Sequence, residues 1–147
     1  MKEFNLYDYK GDIERLITYI PWFEKKAGEK VSRMYDDNNL SGSSLTFPVY
    51  ETMLLNFVND ASKSSLMDSN YVYAYSSYRI RTVEDEKKAI EQADLKTCEV
   101  LISILSKYVL GGMTKGVLWT TAVEEGIFLA ILKRFKDLLD IWDKPLA

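Results

Sequence analysis

The chain has 147 residues, no histidine and a single cysteine, and those two shortages exclude much familiar site chemistry. Without imidazole there is no Ser-His or Cys-His nucleophile pair, no histidine general base and no histidine metal ligand. One thiol permits neither an internal disulfide nor a cysteine-rich zinc site. Cys98 lies among Leu95, Leu101, Ile102 and Leu105, where a thiol behaves as a small hydrophobe. Charge of one sign is also scarce. With 19 basic and 22 acidic residues the net charge is -3, which offers no broad basic footprint for a phosphate backbone. No apolar run reaches the length of a membrane span, and Met1-Lys2-Glu3-Phe4-Asn5 lacks the apolar core of a signal peptide. These absences set the expectation of a cytoplasmic protein without membrane association, and they imply neither a metal nor a cofactor.

What is present is ordinary for a globular chain: 47% apolar and 28% charged residues. The length suffices for one core, so a single domain spanning 1-147 is expected. Residues 1-11 are expected to be loosely ordered, and the Asp-Asn-Ser-Gly-rich stretch 36-45 reads as an internal loop. Ile13, Leu16, Ile17, Ile20 and Phe23 share one face of a helix over 12-27, with Asp12 as its N-cap and a kink or restart at Pro21. A second helix is expected from Pro48, with Val49, Met53, Phe57 and Ala61 inward.

Residues 70-81 are ambiguous. Tyr71, Tyr73 and Tyr75 alternate as in a strand, while Tyr71, Tyr75 and Tyr78 are spaced for a helix. The aromatic and β-branched content favours a short extended or hairpin-like piece. From Thr82 onward the reading is helical. Thr82 caps one helix and Asp94 the next, and Leu95-Leu110, with only a thin polar stripe, is the central helix. Gly111-Gly112 should end it by adopting the left-handed conformation. A last helical region runs from about Thr114 to Asp140, with Phe128, Ile131, Leu132, Phe135, Leu138, Leu139 and Trp142 inward. The expected fold is therefore mainly α, a compact bundle of about five or six helices around Leu95-Leu110.

Chemical interest concentrates in Glu124-Glu125-Gly126, two carboxylates and a glycine directly before Ile127-Phe128-Leu129-Ala130-Ile131-Leu132. In a continuous helix Glu124 would share the apolar side of Phe128, Ile131 and Phe135, and Trp119 would face outward. Either the helix bends at Gly126, returning Glu124 to solvent and Trp119 to the core, or Glu124 needs a cationic partner. Arg79 and Arg81 are the partners the sequence offers, so Glu124, Glu125, Arg79, Arg81 and Trp119 form the candidate pocket. Two enzymatic patterns fail. Glu91-Gln92-Ala93-Asp94 supplies one acidic pair of the kind that holds Mg²⁺ in all-α nucleotide pyrophosphohydrolases, but the matching Glu-x-x-Glu is missing. Gly111-Gly112-Met113-Thr114-Lys115-Gly116 lacks the spacing of a phosphate-cradling loop.

Leu16-Ile17-x-x-Ile20-Pro21-Trp22-Phe23-Glu24 near the start, followed by Ala93-Asp94-Leu95, Gly116-x-Leu118-Trp119 and Ala122-x-x-Glu125-Gly126-x-x-x-x-x-Leu132, resembles a family of small bacterial and archaeal proteins classed as a domain of unknown function. The resemblance covers residues 12 to 136 and implies a single, mostly α domain without a catalytic signature. The arginine-rich stretch of many relatives before Gly-x-Leu-Trp is here Ile104-Leu105-Ser106-Lys107-Tyr108-Val109-Leu110, with one lysine.

The functional expectation is a non-catalytic interaction module that binds a protein partner or a second copy, with Trp22, Trp119, Trp142 and ten tyrosines as available anchors. The alternative is a small-ligand binder or enzyme built on Glu124 or Glu125 with Arg79 or Arg81, its ligand unspecified. Nucleic-acid binding through Lys133, Arg134 and Lys136 is a further alternative that the overall charge argues against.

Overall fold

A computed structural model describes residues 6-26, 32-36, 46-50 and 52-143, with side chains described outside 32-36, 46-50 and 141-143. The first described segment is a 3₁₀ turn, Leu6–Tyr9. Leu6 is buried in the core, while Tyr7, Asp8 and Gly11 are exposed. Helix α1 (Lys10–Ile17) and helix α2 (Ile20–Lys26) bury Ile13, Leu16, Ile20 and Phe23. The chain restarts where Pro21 has no amide to donate, and Pro21 falls in the first turn of α2. Asp12 is not the N-cap. That position is Tyr9, without a side-chain bond, and Asp12 instead accepts from the Ser65 amide at 3.0 Å and from the Ser65 hydroxyl. Those bonds hold its carboxyl below the usual carboxylate range.

Pro48 does not start a helix. Strand β1 (Ser32–Asp36) pairs antiparallel with strand β2 (Thr46–Tyr50), with Pro48 opposite Met34. A two-stranded ribbon has an open edge on each strand, where a missing amide costs no ladder bond. Residues 37-45 of the expected loop, and the Val49 side chain, lie outside the described residues. Helix α3 (Thr52–Lys63) follows and buries Leu54, Phe57, Val58 and Ala61, leaving Met53 exposed.

Residues 71-77 form a helix, α4 (Tyr71–Ser77), rather than the expected extended piece. A strand here would need a partner strand, whereas helix α6 (Glu99–Gly111) supplies an apolar surface that accepts a helical face. Tyr71, Ala74 and Tyr75 turn inward and are half-buried, while Val72, Tyr73 and Ser76 are exposed. Arg79 ends α4 in the left-handed region, at φ 55°. The Ile80 amide donates to the Tyr75 carbonyl at 2.9 Å and the Arg79 amide to the Ser76 carbonyl at 3.2 Å. This bond pair closes a helix around a left-handed residue.

Helix α5 (Val83–Gln92) starts on the expected cap, with Thr82 and Asp85 exchanging side-chain-to-amide bonds. Asp94 accepts from the Lys96 and Thr97 amides and closes the turn before α6, which begins later than expected, at Glu99. Helix α6 is central, touching α3, α4 and α5 as well as helices α7 (Val117–Glu124) and α8 (Ile127–Asp143). Ser103 and Ser106 are buried, and Ser106 donates to the Ile102 carbonyl and accepts from the Asp68 amide. Gly112 keeps right-handed angles, contrary to the expected left-handed cap. It must be glycine because an added Cβ would sit 2.1 Å from the Trp119 ring. The expected long C-terminal helix breaks at Gly126, φ 75°, into α7 and α8. The result is mainly α, with eight α-helices among the described residues instead of about five or six. Phe23 meets Phe57 edge-on at 4.8 Å, and Phe57 lies 4.8 Å from Phe128, which joins α2, α3 and α8.

Two substitutions separate the roles of these turns. Gly112→Ala should lower unfolding free energy by about 2 kcal/mol, because the new methyl meets an indole fixed by its own packing. Arg79→Gly should raise it by about 0.5 to 1 kcal/mol by relieving a left-handed non-glycine residue. Urea denaturation midpoints at constant slope check both.

Candidate functional site

A carboxylate is drawn into the core, but it belongs to α5 and not to the Glu124-Glu125 pair. Glu86 lies one turn before Ile90 on the helix, so the two share the inward face, and Glu86 is 1% exposed. Tyr75 of α4 donates its hydroxyl to Glu86 Oε2 at 2.5 Å, and Tyr108 of α6 donates to Oε1. Lys107 Nζ pairs with Oε2 at 2.9 Å and stands 4.8 Å from the Tyr75 ring centre and 4.9 Å from that of Tyr108. Burial, with the bond to Glu86 and its charge, holds both tyrosine hydroxyls well above their ordinary range. Every member has its partner, and among the described residues no buried side-chain nitrogen or oxygen lacks one.

That cluster lies apart from the grooves. None of the three grooves described here is lined by Glu86, Lys107, Tyr75 or Tyr108. Its structural consequence is the seating of α4. This helix has no fully buried residue; it packs along α6, and the Tyr75 hydroxyl adds a bond to Glu86.

With α4 held there, a groove of about 930 Å³ opens between it and α6. Tyr73, Ala74, Ser77 and Tyr78 form one wall, with Val72 at the rim. Glu99, Ile102 and Ser103, one turn of α6, form the other. Tyr9 and the 65-70 segment, including Met67 and Asp68, close the end. Val72 is 66% exposed and Tyr73 79%, although both are large and apolar.

The residues expected to form a pocket are dispersed. Arg79 lines a groove of about 400 Å³ with Asp85, Lys88 and Thr97. Glu125 lines another, of about 390 Å³, with Lys87, Lys133, Arg134 and Asp137. The two share no residue. Glu125 pairs with Lys87 at 3.3 Å, while Glu124, Arg79 and Arg81 form no ion pair among the described residues. The bend at Gly126 explains this: Glu124 is half-buried at the end of α7 instead of facing the core, and Trp119 is turned inward, its Nε1 donating to the Val109 carbonyl at 3.1 Å. The basic stretch is also committed. Arg134 donates to the Ala93 carbonyl at 2.7 Å and Lys133 lies 3.8 Å from Glu24, leaving Lys136 exposed. Cys98 is buried, its thiol pushed up to about 11 by burial.

Neither the Glu86 cluster nor the α4–α6 groove was among the expected sites. The available clue to Glu86 was its i, i+4, i+7 spacing with Ile90 and Ala93, all three of which are buried.

Glu86→Ala should cost about 3 to 5 kcal/mol, because it strands an ammonium and two hydroxyls. Tyr75→Phe should cost about 1 kcal/mol. Both are read from urea unfolding. Stability should also fall as pH rises past about 10. The unfolded tyrosines lose their protons there while the folded ones keep them, so the unfolded state is favoured by about 1.4 kcal/mol per pH unit for each tyrosine. Tyr75→Phe should flatten that alkaline decline in a pH series of unfolding midpoints.

No curated protein and no solved structure matches the chain. Residues 9-140 match a family of unknown function (DUF6508), and on that coverage the chain belongs to this family.

Proposed function

We propose that the protein is a non-catalytic interaction module that docks a protein partner in the α4–α6 groove. The observation that carries the reading is the outer face of α4. Val72 and Tyr73 expose large apolar surface at the rim of a groove, on a helix held in place from behind by Tyr75. Contiguous exposed apolar surface of this kind marks contact sites, and tyrosine is a favoured anchor because it covers much area with few rotatable bonds. The chemistry of the core supports a non-catalytic role, since the strongest acid–base groups are consumed by one another. Of the tryptophans and tyrosines expected as anchors, this reading uses the tyrosines. Trp119 faces inward, Trp22 packs edge-on against Phe23 at 5.1 Å, and the Trp142 side chain lies outside the described residues.

The reading is tested by placing a photo-crosslinking phenylalanine analogue at Tyr73 in the cells that make the protein, with Glu14 on exposed α1 as control. A discrete crosslinked protein is expected at Tyr73, absent at Glu14 and lost on adding Val72→Asp. Equal products at both positions would overturn the reading. Val72→Asp alone should shift stability by less than about 0.5 kcal/mol, as expected for an exposed position.

A further inference from the structure

We infer that the segment docked in the α4–α6 groove carries lysine or arginine among apolar residues; the inference rests on the docking reading above. The charged residues lining the groove are Asp68 and Glu99, and neither a lysine nor an arginine lines it. The chain from Ser64 to Tyr78, which supplies one wall and most of the end, has Asp68 as its only charged residue. Neither carboxylate has a cationic partner among the described residues. This contrasts with the Glu125 groove, where Lys87, Lys133 and Arg134 stand beside the acids.

Asp68 is held in place. Its amide donates to the buried Ser106 hydroxyl at 2.8 Å, and its Oδ1 accepts from the Asn70 amide at 2.8 Å. That leaves the other carboxylate oxygen open to an incoming donor. Glu99 stands in the first turn of α6, on the facing wall. Tyr9, Tyr73 and Tyr78 supply aromatic surface in the same groove. Ring faces attract ammonium and guanidinium groups, so the apolar and charged recognition elements are interleaved. Burial raises the Tyr78 hydroxyl above its usual range, and the negative charges of Glu99 and Asp94 add to the effect, consistent with an electronegative wall.

The occupant follows from what each kind of segment would leave unpaired. An acidic segment would bring like charges together as water is excluded. A neutral one would desolvate two carboxylates without compensation. A segment with basic residues flanking apolar ones compensates both carboxylates while its apolar residues cover Met67, Val72 and Ile102.

The test uses three short synthetic peptides on one leucine–serine skeleton, with lysine, glutamine or glutamate at the same positions, titrated into the full chain and followed by amide NMR shifts. The lysine peptide should shift amides of 65-78 and 99-103 and bind about tenfold more tightly than the glutamine peptide. Asp68→Asn and Glu99→Gln should each weaken it several-fold, as should raising the salt, with the fold unchanged in the amide spectrum. Asn at 68 keeps the acceptor for the Asn70 amide. If the glutamine peptide binds the same amides equally well, the cationic requirement is wrong while the docking reading stands. If no peptide shifts those amides, or sedimentation shows a dimer with the groove amides occluded by a second copy, the inference is overturned. Crosslinking at Tyr73 then decides the docking reading separately.

Discussion

The buried Glu86 carboxylate is the constraint around which α4, α5 and α6 are arranged. An ionised carboxylate removed from water is tolerable only if its oxygens find donors, and here three converge: the Tyr75 and Tyr108 hydroxyls and the Lys107 ammonium. Each donor comes with a geometric demand. Tyr108 fixes one point of the central helix, Lys107 lies along two rings to reach the same oxygen pair, and Tyr75 brings α4 down onto α6. This short helix, without a fully buried side chain, packs along α6 and gains a polar tie to α5 through Tyr75. The polar cluster therefore does for α4 what the Phe23–Phe57–Phe128 stack does for α2, α3 and α8.

The helices are short because the chain turns by several different means. Pro21 interrupts the first helical pattern by lacking a donor. Arg79 and Gly126 both adopt left-handed angles, and glycine does so without the strain that arginine carries. Gly112 turns nothing by its own angles; it makes room, letting the Trp119 ring close on the end of α6 while its indole nitrogen reaches Val109. The Gly126 turn separates α7 from α8 and leaves Glu124 half-buried at the end of α7, and Arg79 and Glu125 line separate grooves.

The α4–α6 groove inherits its character from both features. The cluster behind α4 keeps its inward tyrosine occupied, and the outward Val72 and Tyr73 are exposed among the described residues. Asp68 and Glu99 line the same groove without an ion-pair partner among the described residues, whereas Glu125 faces Lys87 and Asp94 caps its own turn. Apolar exposure and negative charge in one groove are the physical basis of the proposed docking surface.

Much of the fold was legible along the sequence because it is locally encoded. The inward faces of α1, α2 and α8, the Thr82–Asp85 cap, the interruption at Pro21 and the bend at Gly126 each depend on residues within one or two helical turns. The candidate site was not legible, because its contacts are between residues far apart in the chain. Tyr75, Lys107 and Tyr108 lie 11, 21 and 22 positions from Glu86. Read locally, Glu86 is one more acid favourable to the dipole of α5, and the tyrosines of 71-78 alternate as in a strand. Pro48 misled for the same reason, since only a facing strand could place it at an edge. The sequence by itself determined the capped start of α5, the interruptions at Pro21 and Gly126, and the apolar faces of α1, α2 and α8. Only the tertiary structure decided which carboxylate is buried and which apolar residues of α4 are left exposed, because both depend on surfaces that another part of the chain must bring.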